Sequence, residues 1–164
     1  MQKLNKLYQT AKENGITVLD AELSTKNAFC GLSDDNKWYI FIDKKKVDTL
    51  CKEKEVLAEE IAHCEIGAMY ELSELDNPLQ YVHIITCEHK ARCEAIKLLI
   101  APEQLVAVCN QCCNLFEVSE ELNLDAEYVK SAIEYYETCN VILLQNGKLY
   151  LNKKRVNYAE YSTE

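Results

Sequence analysis

The chain has 164 residues, 48% hydrophobic and 27% charged, with only four glycines and two prolines. That composition excludes a disordered polypeptide and fits one domain with a real core, or a core plus a small helical appendage. A net charge of −9 leaves little material for a phosphate-binding surface and argues against nucleic acid as the main ligand. No apolar run reaches the roughly 18 residues of a membrane span, and the stretch MQKLNKLYQTAKENG lacks the apolar core of a signal peptide. Nine cysteines, an odd number, point to reduced thiols rather than a disulfide framework, so a cytoplasmic location is expected.

In residues 4–12, Leu4, Leu7, Tyr8 and Ala11 recur at helical spacing, and Asn14-Gly15 closes a short amphipathic helix. Ile16, Val18 and Leu19 suggest a strand, a second apolar patch covers residues 28–32, and Ser33-Asp34-Asp35-Asn36 is a turn signal. Residues 38–42, aromatic and β-branched, form the clearest strand of this half. A small antiparallel sheet is expected. Lys44, Lys45 and Lys46 read as a solvated turn.

Residues 52–67 are expected to form a helix stopped by Gly67. At about 100° per residue, Leu57, Ile61 and Cys64 make an apolar arc with Glu60 inside it, and Glu59 and His63 line its flank. A carboxylate and an imidazole one turn apart can hold one cation between them, as in the HExxH zinc helix. Here the order is Glu59-Glu60-x-x-His63. Residues 68–77, with Glu71, Glu74 and Asp76, read as a polar loop near that helix. Asn77-Pro78 then opens a second helix, on which Ile84, Cys87, Glu88, Ala91, Ala95 and Leu98 share one stripe. A glutamate among such neighbours requires a charge partner or must neutralise. A cation shared with His63 would serve, and so would Arg92 at i+4; spacing leaves both open. His83 and His89 fall nearer solvent on the same helix.

Pro102 ends or bends that helix, and residues 103–113 form the next, with Cys109, Cys112 and Cys113 as small core residues rather than half of a zinc site. Residues 115–122 and 126–139, joined through Asn123-Leu124-Asp125, have helix-turn-helix spacing with Asp125 as N-cap. Their acidity favours packing or protein recognition over DNA binding. Asn146-Gly147, between residues 141–145 and 148–152, predicts a terminal β-hairpin, and the tail beyond Lys154 is expected to fray.

The ordered set VLAEEIAHCEIG, CEHKARCEAIKLLIAP and LFEVSEELNLDAEYVKSAIEYY resembles the ImmA/IrrE metallopeptidases, many of them encoded by phages and integrative elements. The resemblance implies an α+β fold: a zincin-like core over residues 1–101, with a small antiparallel sheet beside the active-site helix, then a helical helix-turn-helix-like region with a C-terminal hairpin over residues 102–164. It also implies that Glu59, His63 and Glu88 are metal ligands, Glu59 standing where the family has a histidine, and that Glu60 is the catalytic glutamate. Tyr70 is a candidate for oxyanion support. The carboxylate-rich set admits Zn2+, with Mn2+ or Fe2+ as alternatives. The implied activity is cleavage of a helix-turn-helix repressor that silences a mobile element. The Glu59 exchange also admits a metal-poor member that binds a repressor, or another protein partner, without cutting it.

Overall fold

In the computed structural model, which describes residues 2–67, 78–152 and 154, with residues 78–80 by backbone alone, the chain forms two units, Met1–Leu99 and Ile100–Glu164. The first unit opens with α1 (Gln2–Glu13), which buries Leu4, Leu7 and Ala11 at helical spacing. Gly15, at φ +71°, allows the chain to reverse so that the Ile16 N–H reaches the Ala11 carbonyl at 2.8 Å.

Strands β1 (Thr17–Asp20), β2 (Ala28–Leu32) and β3 (Trp38–Ile42) form one sheet in the order β1-β3-β2. β2 and β3 are an antiparallel hairpin, with Ala28 opposite Ile42 and Leu32 opposite Trp38. β1 runs parallel to β3, with Thr17 opposite Tyr39 and Asp20 opposite Ile42, so the sheet is mixed and not antiparallel throughout. The cause is the crossover of residues 21–27 past the end of β3. The Ala21 N–H bonds the Ile42 carbonyl at 3.0 Å and the Asp43 N–H bonds the Asn27 carbonyl at 2.9 Å, which leaves β1 and β2 on opposite sides of β3. A strand inserted between two oppositely directed ones must be parallel to one of them.

The lysine run after β3 corrects a second expectation. Lys46 Nζ reaches the carbonyls of Leu23 and Ser24 and so ties down the crossover. Lys44 Nζ bonds the Tyr8 hydroxyl at 2.7 Å and the Glu53 carboxylate. Lys45, with a side chain 77% exposed beside Glu22, is the one that matches a solvated turn. Asp43 is buried at the same corner, and N–H donation from Leu23 at 3.0 Å and Lys45 at 3.1 Å holds its carboxyl below the usual range.

α2 (Leu50–Glu65) starts where the Thr49 side chain accepts the Lys52 N–H at 3.2 Å, two residues before the expected start. It lies against β2 and β3 and buries Leu57, Ala58, Ile61 and Ala62, as β3 buries Ile40 and Ile42. Burial of each large side chain contributes about 1.5–3 kcal/mol. α3 (Pro78–Leu99) packs on α2 through Ile84, Ala91, Ala95, Ile96 and Leu99. Cys87 and Leu98 are half-buried and Glu88 is exposed, so Glu88 sits at the rim of the helix pair rather than in its core.

The second unit contains α4 (Pro102–Cys109), α5 (Leu115–Leu122), α6 (Ala126–Thr138) and the antiparallel hairpin β4 (Ile142–Gln145) and β5 (Lys148–Leu151). α4 ends four residues short of the expected boundary because the Asn110 side chain binds both backbone groups of Leu149, at 2.7 and 3.0 Å. Cys112 is therefore half-buried and Cys113 exposed, outside any helix. Asn114 accepts the Glu117 N–H at 3.0 Å while Glu117 accepts the Cys113 N–H at 2.8 Å, a reciprocal cap. Asp125 caps α6 through the Glu127 N–H at 2.9 Å. Buried Tyr136 donates its hydroxyl to the Ile100 carbonyl at 2.6 Å. Asn146 and Gly147, at φ 51° and 73°, turn the hairpin as their pattern predicts. The architecture is α+β, and among the described residues no helix is long and apolar enough to cross a membrane.

Candidate functional site

α2 and α3 lie antiparallel, and four polar side chains form two rungs between them. Glu59 pairs with Arg92. One turn further along α2 and one turn back along α3, His63 Nε2 stands 3.6 Å from Glu88 Oε2. Side chains four apart on one helix face stack, so a register that joins one rung joins the other. The His63 side chain is 13% exposed and that of Glu88 54%, so the second rung has a buried end and an open end.

Of the expected ligands, His63 and Glu88 are thus brought together, while Glu59 is one turn away on a guanidinium. Arg92, a possible intrahelical partner of Glu88 by spacing, reaches across to α2 instead. Among the described residues no three His, Cys, Asp or Glu side chains gather as a metal cage. Tyr70 lies outside the described residues, as do all of residues 68–77, for which a polar loop was expected. His83 and His89 are exposed on α3, each against a cysteine one turn on, Cys87 at 3.8 Å and Cys93 at 3.7 Å.

Glu60 projects to the sheet side of α2. Burial pushes its carboxyl above the usual range, opposed by a hydrogen bond from the Cys30 thiol and by the charges of His63 and Lys26, and reinforced by Glu88. The Cys30 thiol is pushed far up, first by its hydrogen bond with Cys64, then by burial and by the Glu60 charge. Cys30 is absent from the site residues expected from sequence, where residues 28–32 read as packing alone. Strand alternation was the available signal: Ala28, Cys30 and Leu32 share one face of β2, the face carrying the buried Ala28.

The second rung can be tested against a metal ion. A separation of 3.6 Å exceeds an ordinary hydrogen bond and lies close to the roughly 3.4 Å between two donors each about 2.1 Å from a tetrahedral ion. An imidazole and a carboxylate are both suitable donors. His63 and Glu88 supply two of the three donors such a site needs, and Glu59, paired with Arg92, does not join them. No protein-family model, no characterised protein and no solved structure matches the chain.

Proposed function

We propose that this chain is a metal-dependent endopeptidase of the ImmA/IrrE kind that acts on a helix-turn-helix repressor inside the cell. The observation that carries the reading is the His63–Glu88 rung, 3.6 Å across, with the buried carboxyl of Glu60 three residues from His63 on the same helix. His63 and Glu88 would hold the cation, Zn2+ or a harder ion such as Mn2+ or Fe2+. When bound, that cation polarises the scissile carbonyl and acidifies water.

The chain's own groups supply the proton chemistry. A carboxyl raised by burial accepts a proton closer to neutral pH than an ordinary glutamate, which suits a general base that then acts as an acid. Glu60 takes the proton of the attacking water at its carboxylate oxygen and gives it to the departing amine. The Cys30 thiol holds that carboxylate in place. An acidic chain of net charge −9 suits a basic, DNA-binding partner, and the α5–α6 pair with its hairpin is the helix-turn-helix-like part of the proposed architecture.

The Glu59–Arg92 pair favours a second reading. A guanidinium stands where the third ligand would meet its cation, which fits a chain that binds the repressor without cutting it. Purified chain incubated with a helix-turn-helix repressor encoded beside its gene separates the two. Peptidase action predicts two repressor fragments with the wild type and none with Glu60→Gln. A stable, uncut complex supports the binding reading, and neither binding nor cleavage overturns both.

A further inference from the structure

We infer that Cys93 is a site of covalent modification: its thiol, held against the His89 imidazole, exchanges with small disulfides that carry negative charge and keeps one half of the disulfide as an adduct. Side chains four apart on a helix stack, and His89 Nε2 stands 3.7 Å from Cys93 Sγ. An imidazole against a thiol is the pairing in which the ring takes the thiol proton as the sulfur attacks. The pair is open to solvent, with His89 exposed and Cys93 half-buried. It is also distinct from the cation rung, since at about 100° per residue Cys93 falls roughly 140° round α3 from Glu88.

Charge sets the class of disulfide. Lys90 and Lys97, three residues before and four after Cys93, share its helix face by spacing, and both are exposed. Lys97 is paired with Glu94 at 2.7 Å, so the face around the thiol keeps a net positive charge. That charge draws in the carboxylates of a disulfide such as glutathione disulfide. Other cysteines are placed differently. Cys87 also has an imidazole one turn away, but the two ring nitrogens of His83 lie 3.9 and 3.8 Å from its sulfur, so neither is aimed at it. Cys113 and Cys139 are more exposed than Cys93 and measure what access alone provides.

The exchange balances with the disulfide as its only co-reactant. Cys93 Sγ attacks one sulfur of the disulfide, a new S–S bond forms as the old one breaks, and the other half leaves. The thiol proton passes to His89 Nε2 and from there to the departing sulfur, which leaves as a thiol. The Cys93 sulfur is oxidised, the departing sulfur is reduced, and an added thiol reverses the step. None of this depends on the chain being a peptidase.

The test incubates the full reduced chain with glutathione disulfide, quenches samples in acid, alkylates the remaining thiols and maps each cysteine by mass after digestion. The expected result is that Cys93 gains the adduct about tenfold faster than Cys113 and Cys139. His89→Gln should remove most of that lead and leave the rates of Cys113 and Cys139 unchanged. Hydroxyethyl disulfide, which is neutral, should narrow the lead in the wild type. The inference is overturned if Cys93 reacts no faster than the two exposed cysteines, or keeps its full lead in His89→Gln. An equal lead with the neutral disulfide overturns the anionic class of reagent. The wild-type comparison decides the site even where His89→Gln fails to fold.

Discussion

Replacing Arg92 with methionine keeps most of the aliphatic stem of the side chain and removes the charge that holds Glu59. The pair is about one-third exposed on both sides, at 36% and 33%, so its loss costs stability no more than about 1 kcal/mol. The larger effect is on cation binding. An ion held by Glu59 at about 2.1 Å would lie within roughly 5 Å of the guanidinium. At that separation a divalent ion and a unit positive charge repel by about 1.7 kcal/mol even at the dielectric of water, or roughly 15- to 20-fold in affinity. Salt screens this incompletely, since the distance is shorter than the Debye length of about 8 Å at physiological ionic strength. Arg92→Met should therefore bind Zn2+ about four- to fivefold more tightly than the wild type at physiological ionic strength, and up to about fifteenfold at low salt, read by competition with a chromophoric chelator, with thermal melting as the check on folding. Unchanged or weaker binding in a folded variant would refute the blocking role and make Arg92 a support that orients Glu59.

Two further consequences concern the residues beneath and beside the rung. The folded state raises the Glu60 carboxyl, so it holds that proton more tightly than the unfolded chain, and stability falls as pH rises from the ordinary carboxyl value through the raised one. Glu60→Gln should accordingly melt higher than the wild type at neutral pH, with the difference closing in acid; melting curves that stay parallel from pH 4 to 8 would contradict this. Ile61 is fully buried between sheet and helix, and Ile61→Ala should cost about 2–5 kcal/mol in urea unfolding, whereas a loss under 1 kcal/mol would mean that the core beneath the site is not packed as described.

Local chemistry was readable along the chain, and apart from the meeting of His63 and Glu88 the long-range pairing was not. Glu60 within an apolar arc, Gly67 and Pro78 at helix ends, and Asn146-Gly147 between two apolar runs each act within a turn or two, and each appears in its expected place. The direction of β1 depends on where residues 21–27 cross the sheet, which alternation does not encode. The partner of Arg92 depends on the register of two helices 33 positions apart in sequence, so an i+4 rule naturally offered Glu88 instead. Cys30 was hidden for the same reason: a cysteine in an apolar strand looks like packing until the helix above it supplies a thiol and a carboxyl. The early end of α4 follows from Asn110 binding Leu149, 39 residues away.

The most direct measurement is a zinc titration of the wild type beside His63→Ala and Glu88→Gln, each verified as folded by circular dichroism. If the His63–Glu88 rung holds the cation, the wild type binds one equivalent and both substitutions weaken binding by tenfold or more. Equal affinity in all three proteins, or no binding by the wild type, would contradict the metal site on which the peptidase reading rests.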